Sequence, residues 1–197
     1  MENFADLYSD YLISSSSYAT STGMANLLSI KHDKITRELS NGDYDSKFLW
    51  KQSKVYVKEL TQSKELITLS FDDSIEEKRY TDESELHCWH FDHTFGKSVR
   101  GVNFLTALIE VGTMRLPCAV EFVKKDLWKK DPKTGKEKRK SSVSKNELFR
   151  KMLRECNGKF RFDYVLADSW YSSNENMNCC KKELNNDFIM ALKSNRK

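Results

Sequence analysis

No apolar run in this 197-residue chain approaches the roughly 18 residues that a membrane-spanning helix needs. The opening MENFADLYSDYL carries acids where a secretory signal would carry bases. Neither a span nor a leader is therefore expected. Seven glycines and two prolines exclude a collagen. The five cysteines, Cys88, Cys118, Cys156, Cys179 and Cys180, are odd in number and lack framework spacing, which excludes a disulfide-knotted toxin. They read as reduced thiols of a cytosol-like compartment. There is no P-loop, dinucleotide fingerprint or serine-hydrolase elbow, and no internal repeat. What is present, 39% hydrophobic and 12% aromatic residues, suffices for a core without staples and excludes a wholly disordered tail.

The net charge of +4 is uninformative until it is located. Between Lys124 and Lys140, nine bases face three acids, a local excess of +6, so the rest of the chain is slightly acidic. Such a block is either a solvated loop or a surface for a polyanion. Residues 1–60 have helical texture: Met24, Leu27 and Leu28, then Ile35 and Leu39, recur at helical spacing around a tight connection near Ser29. The second helix of that pair displays Lys31, Lys34 and Arg37, which suits a helix-turn-helix contact with DNA. The competing reading is an amphipathic pair with a solvated face, since residues 1–60 hold seven bases and eight acids.

From Glu65 the pattern changes to strands over 66–71, 87–93, 103–111 and 116–123. Ser144 and Glu147 form a capping box ahead of a helix whose face is Leu148, Phe149, Met152, Leu153 and Cys156. A strand over 162–167 follows, then a second capping box at Ser172 and Glu175 opening a helix with Met177, Cys180 and Leu184 on one stripe, and a strand over 188–192. This order predicts an α/β fold, a mixed sheet flanked by helices, behind a small all-helical amino-terminal region.

Two carboxylates fall where a sheet protein places a working site. Asp73 lies just past the strand ITLSF, and Asp168 just past FDYVLA. Oxygen donors converging from neighbouring strand ends suit Mg²⁺ or Mn²⁺, and two such ions can act on both sides of a phosphodiester. An Asp that closes a strand is also a common turn former. Asp72 is equally placed by spacing, and alternation sends it to the opposite face from Asp73. The segment His87 to His93 invites a zinc reading, but its ligands split between two strand faces and no matching Cys/His pair follows. Lys97 and Arg100, between Gly96 and Gly101, read as a basic turn able to approach a phosphate backbone.

The ordered phrases LSFDDSIEEK, CWHFDHTFGKSVRGVNFLTALIEVG, LPCAVEFVKKD, SKNELFRKML, YVLADSWYSS and FIMALKSNR resemble the DDE transposases of bacterial insertion sequences, over about residues 30–197. The resemblance implies a ribonuclease H-like catalytic core over 61–197 with a basic insertion at 124–140. It implies DNA cleavage at transposon ends and strand transfer with a two-metal site of Mg²⁺ or Mn²⁺. Asp73 and Asp168 match the first two family acids, as catalytic residues and metal ligands. Lys129, Lys130, Lys138, Arg139 and Lys140 join Lys31, Lys34, Arg37, Lys97 and Arg100 as expected DNA contacts. Expected partners are double-stranded DNA, as transposon ends and target, and a second copy or a full-length transposase; the expected location is the cytoplasm, at the nucleoid. The family's third acid, a Glu within a Tyr, Arg/Lys and Trp-bearing signature, has no match before Lys197. Neither Glu175 nor Glu183 fits it. The expectation is a fragment lacking the carboxy-terminal part of the fold, inactive alone, and acting otherwise as a DNA-binding or inhibitory piece.

Overall fold

The structure is a computed structural model that describes residues 4–16, 18–132 and 135–192. The chain divides into two compact units, residues 1–44 and 45–197. In the first, α1 (Phe4–Ser14), α2 (Ser21–Leu28) and α3 (His32–Asn41) bury Met24, Ala25 and Ile35 among Leu7, Tyr8, Tyr11 and Leu39. Thr20 caps α2 by accepting the Gly23 N–H at 2.9 Å, and Ser29, at φ 54°, ends it in the left-handed conformation. The tight connection near Ser29 is thus present.

The second unit begins with α4 (Ser46–Leu60), capped by Asp45, whose Oδ1 accepts the Lys47 and Phe48 N–H groups at 2.9 Å each. Helix α4 packs on the sheet through Val57, and Ser46 Oγ accepts the Val120 N–H at 3.3 Å. Residues 46–60, grouped by sequence texture with the amino-terminal helices, therefore share a core with the sheet.

The main sheet runs β2 (His87–Asp92), β3 (Lys97–Val111), β1 (Ile67–Glu77), β7 (Tyr164–Ala167), β8 (Asp187–Met190), with β4 (Met114–Phe122) also paired to β3. Strands β1 to β4 pair antiparallel, while β7 and β8 run parallel to β1. Helix α5 (Lys145–Asn157) joins the two halves. This is the mixed sheet flanked by helices that the element order predicts, in the ribonuclease H-like form that the resemblance implies.

Alternation organises the core. Along β3, Val99, Gly101, Asn103, Leu105, Ala107, Ile109 and Val111 are buried and the residues between them are half-exposed. Gly101 is needed where β3 crosses β1, because a Cβ there would collide with the Glu76 carbonyl oxygen. Leu148, Phe149, Met152, Leu153 and Cys156 of α5 close over this face. Each such burial contributes about 1.5–3 kcal/mol.

Four local expectations change. Strand β1 continues to Glu77 because the 15-residue β3 pairs with all of it, so Asp72 and Asp73 lie inside the strand rather than past it. Lys97 and Arg100 likewise belong to β3, and the turn is made by residues up to Gly96, at φ 62°. The basic block is a hairpin, β5 (Leu127–Lys130) with β6 (Glu137–Lys140), not a bare loop. Lys133 lies outside the described residues. The cap of α6 (Asn174–Asn178) is Ser173, whose hydroxyl accepts the Asn176 N–H at 3.2 Å, while the buried Ser172 hydroxyl donates to the Ser169 carbonyl at 2.8 Å. Helix α6 runs on into a π-helical turn, Cys179–Glu183. No helix among the described residues is long and apolar enough to cross a membrane.

Candidate active site

Asp73 occupies an odd-numbered position of β1 and so shares the face of Ile67, Leu69 and Phe71, beneath α5. Asp72 points the other way, and its Oδ1 accepts the Asp73 N–H at 2.9 Å. On the parallel neighbour, Ala167 pairs with Phe71, so the next residue of each strand is Asp168 and Asp72. Asp168 also makes the turn that leaves β7: its Oδ1 accepts the Trp170 N–H at 2.9 Å and its carbonyl accepts the Tyr171 N–H at 3.2 Å. It is both a turn former and a carboxylate at the expected end of the sheet.

Two residues that sequence reasoning missed hold Asp73. The Tyr171 hydroxyl donates to Oδ1 at 2.8 Å, and the Lys145 ammonium pairs with Oδ2. Lys145 is the first residue of α5, and the capping box fixes it there. Ser144 Oγ accepts the Glu147 N–H at 3.2 Å, and the Glu147 carboxylate accepts the Ser144 N–H at 2.7 Å. The box is legible in the sequence; that it delivers a lysine to the strand depends on how α5 lies across the sheet. Ser144→Ala should lower stability by about 1 kcal/mol. Thermal unfolding measures this, and an unchanged melt would show that the cap does not hold the start of α5.

Tyr171 is fully buried, and its position is over-determined. Phe149 lies between Phe71, with ring centroids 4.6 Å apart, and Tyr171, stacked at 5.4 Å. Asn176, fully buried, donates to the Tyr171 carbonyl and to Asn146 Oδ1 at 2.8 Å each and accepts from Arg150 at 2.7 Å. Turn, α5 and α6 are thereby locked to the Asp73 carboxylate.

The local field is negative. Burial foremost, then the charges of Asp73 and Asp168, raise the Asp72 carboxyl above its ordinary range, against the Asp73 N–H and Lys145. Burial, then Asp73, Asp168 and Asp72, push the Tyr171 hydroxyl far up, so it stays a donor. Among the described residues, no group of three or more His, Cys, Asp or Glu side chains is arranged to hold a metal ion. The donor set nevertheless fits a hard divalent cation. Its atoms are carboxylate oxygens, and Asp73 already attracts a positive group, the Lys145 ammonium.

The His87 to His93 segment has other duties. The ring nitrogens of His87 lie 2.9 Å from the Asp82 carbonyl and 2.6 Å from that of Lys78. His90 is buried, with Nε2 3.4 Å from Cys88 Sγ; burial, with Lys125 and Lys145 nearby, takes its pKa down to about 4. His93 is exposed and packs between Phe91 and Trp170.

The basic residues divide by what they touch. Arg139 is committed to the hairpin: its guanidinium lies 4.5 Å from the Trp128 ring, and it binds Glu83 at 3.1 Å. Lys138 pairs with Asp131 at 2.7 Å. Lys129, Lys130 and Lys140 are exposed. Arg100 donates to the Arg79 carbonyl, and Lys97 is exposed beside the Phe95 ring. In the first unit, Lys31 and Arg37 are exposed and Lys34 half-buried on α3.

Compared with known proteins, residues 2–197 match the family model described as DDE superfamily endonuclease. A search of curated proteins found no match. Among solved structures, the chain is similar to the Drosophila P element transposase strand transfer complex. The identity is 12% and the TM-score 0.37, over 98% of this chain and 42% of that one. It is also similar to the Mos1 strand transfer complex, at 11% identity and TM-score 0.30, over 98% and 59% respectively. The chain spans less than two thirds of either.

Proposed function

The chain belongs to the DDE superfamily endonucleases, and from that premise we propose that it serves DNA transposition, cutting double-stranded DNA at element ends and joining the freed 3′-hydroxyl to a target. The observation that carries this reading is that Asp73, on β1, and Asp168, the residue that follows β7, lie at the same end of two adjoining parallel strands, with Asp72 the residue level with Asp168.

Asp73 and Asp168 would hold Mg²⁺ or Mn²⁺, with Asp72 as the alternative to Asp73. Bound there, the metal supplies activation of an oxygen nucleophile and neutralisation of charge on the leaving oxygen. The protein's own groups do the positioning on which phosphoryl transfer depends. Tyr171 fixes one oxygen of Asp73 by donating to it. Lys145 keeps a positive charge beside the carboxylates and, released from Asp73, can pair with a scissile phosphate at the start of α5, where the helix dipole also favours an anion.

DNA would be gripped by the exposed lysines of the β5–β6 ribbon, a two-stranded shape that fits a major groove, with Arg139 bracing the ribbon from within. Lys97 in the second unit, and Lys31, Lys34 and Arg37 in the first, would make their own contacts with DNA phosphates. Lys129→Ala with Lys140→Ala should weaken DNA binding and reduce the slope of log affinity against log salt by about two. A slope unchanged in the double variant would remove the ribbon from the interface.

One observation favours a second reading, DNA binding or inhibition of a complete transposase without catalysis: both oxygens of Asp73 are engaged. A plasmid-nicking assay decides. Nicking that needs Mg²⁺ and stops with EDTA supports the nuclease. Salt-sensitive binding without nicking supports the binding module.

A further inference from the structure

A groove of about 850 Å³ runs between the last turns of α4 and the turn that joins β3 to β4. It lies at the start of β1, and Ile67 and Asp73 are about 20 Å apart along that strand, so the groove is remote from the candidate site. Tyr56 and Leu60, one turn apart on α4, line one wall, and Met114 and Leu116, two residues apart on β4, line the other. Tyr56 is 61% and Met114 53% exposed, and an adjoining cavity that shares Glu65 and Gly112 adds Leu66 at 59%. Large apolar side chains exposed side by side mark a contact surface. The rim carries charge of one sign. Glu59 and Glu65 are exposed and have no ion-pair partner among the described residues, and the described residues of the lining include no lysine or arginine. Glu110, beside them, is already held by the Ser70 hydroxyl at 2.7 Å and by Arg115 at 3.2 Å.

An apolar groove edged by unpaired carboxylates repels a nucleic acid and fits a protein segment that is both apolar and basic. This chain carries such a segment. In the β5–β6 ribbon, Leu127 is 38% exposed, Trp128 is still 56% exposed although Arg139 lies over its ring, and Lys129 and Lys130 follow, exposed and without an ion-pair partner among the described residues. The ribbon is rooted at the other end of the sheet. Its stem leaves β4 at Phe122, level with Phe104 and Ser74, and returns to α5 at Lys145, which pairs with Asp73. With four residue pairs it extends only about 13 Å, too short to reach the groove of its own chain. We propose that the ribbon of one copy docks in the groove of a second copy, with Leu127 and Trp128 against the apolar walls and Lys129 and Lys130 on Glu59 and Glu65. This goes beyond the nuclease reading and does not depend on it. If the same lysines grip DNA, a docked ribbon is withheld from it, and self-association restrains the chain until DNA competes.

Sedimentation velocity of the full chain, without DNA or metal, reads the association. The wild type should self-associate with a dissociation constant of roughly 10–100 µM, the weak end expected of a small contact, and less tightly as salt rises. Glu59→Lys with Glu65→Lys should weaken this by about tenfold or more, and so should Lys129→Glu with Lys130→Glu. Tyr56→Ser should weaken it severalfold without changing its salt dependence, which separates burial in the groove from charge alone. All five side chains are exposed, so the fold should hold, and thermal unfolding checks this. The decisive sample mixes the two charge-reversed proteins: each alone should stay monomeric, and together they should associate, reversed ribbon in reversed groove. A monomeric wild type, an association untouched by reversing the groove or by Tyr56→Ser, or a mixture that stays monomeric overturns the docking, whatever plasmid nicking shows. Association that responds as expected in a chain that never nicks supports the docking and removes only the nuclease reading.

Discussion

Asp73→Asn should lower Mg²⁺-dependent nicking by about 10²–10³-fold, the scale on which loss of one preorganised electrostatic group is felt in a transition state. Asp72→Asn should leave it within about tenfold. The distinction follows from alternation in β1. Asp73 faces α5, where Tyr171 and Lys145 fix its oxygens, whereas Asp72 lies on the other face, where partial burial and then like charge raise its carboxyl. Asn keeps the size and most of the hydrogen bonding of Asp, so what is removed is a charge. The Asp73→Asn protein should still fold, although Lys145 then faces an uncharged amide; the pair is about a quarter exposed, which softens that loss. Circular dichroism separates a chemical defect from a structural one. If Asp72→Asn kills nicking and Asp73→Asn spares it, the assignment of the first acid moves by one residue and the role given to Tyr171 is lost.

The elements that follow from periodicity were legible in the sequence. The five-residue face of α5 and the strands from 66 onward needed only local pattern, and α5 begins where Ser144 and Glu147 say it does. Lengths that depend on a distant partner were not legible. Strand β1 looks finished at Phe71 because Asp72 and Asp73 are poor strand formers, yet pairing with β3 carries it six residues further. The hairpin within the basic block was hidden for the same reason. Its stability comes from Trp128 on Arg139 and from Glu83, far away in sequence. At the candidate site, the acids could be named from spacing and from the family resemblance, and the family itself is the one matched. Tyr171 and Lys145 could not be named, since an aromatic after a turn and a lysine at a helix start carry no signal until the helix is laid across the sheet. The His87 to His93 segment invited a zinc reading that its spacing already weakened; that His90 is buried against Cys88 could be seen only in the fold.

Phe149→Ala should be the most destabilising single change near the site, costing about 3–5 kcal/mol. The ring is fully buried at the centre of α5's inner face, and no neighbour is mobile enough to refill the space: Phe71 is fixed in a strand, and Tyr171 is tied by its hydroxyl to Asp73 and by its carbonyl to Asn176. At about 2–4 °C per kcal/mol for a chain of this size, the melting temperature should fall by several degrees or more. Tyr171→Phe makes the useful contrast. It keeps the ring that stacks on Phe149 and removes only the donor to Asp73, a bond to a charged group worth about 1.5–3 kcal/mol. Its melting point should therefore fall less than that of Phe149→Ala, while its nicking rate should fall although the fold is intact, because Asp73 loses the group that orients it. A Phe149→Ala protein with an unchanged melt would mean that α5 does not close over β1 as described, and the geometry that brings Lys145 and Tyr171 to Asp73 would go with it.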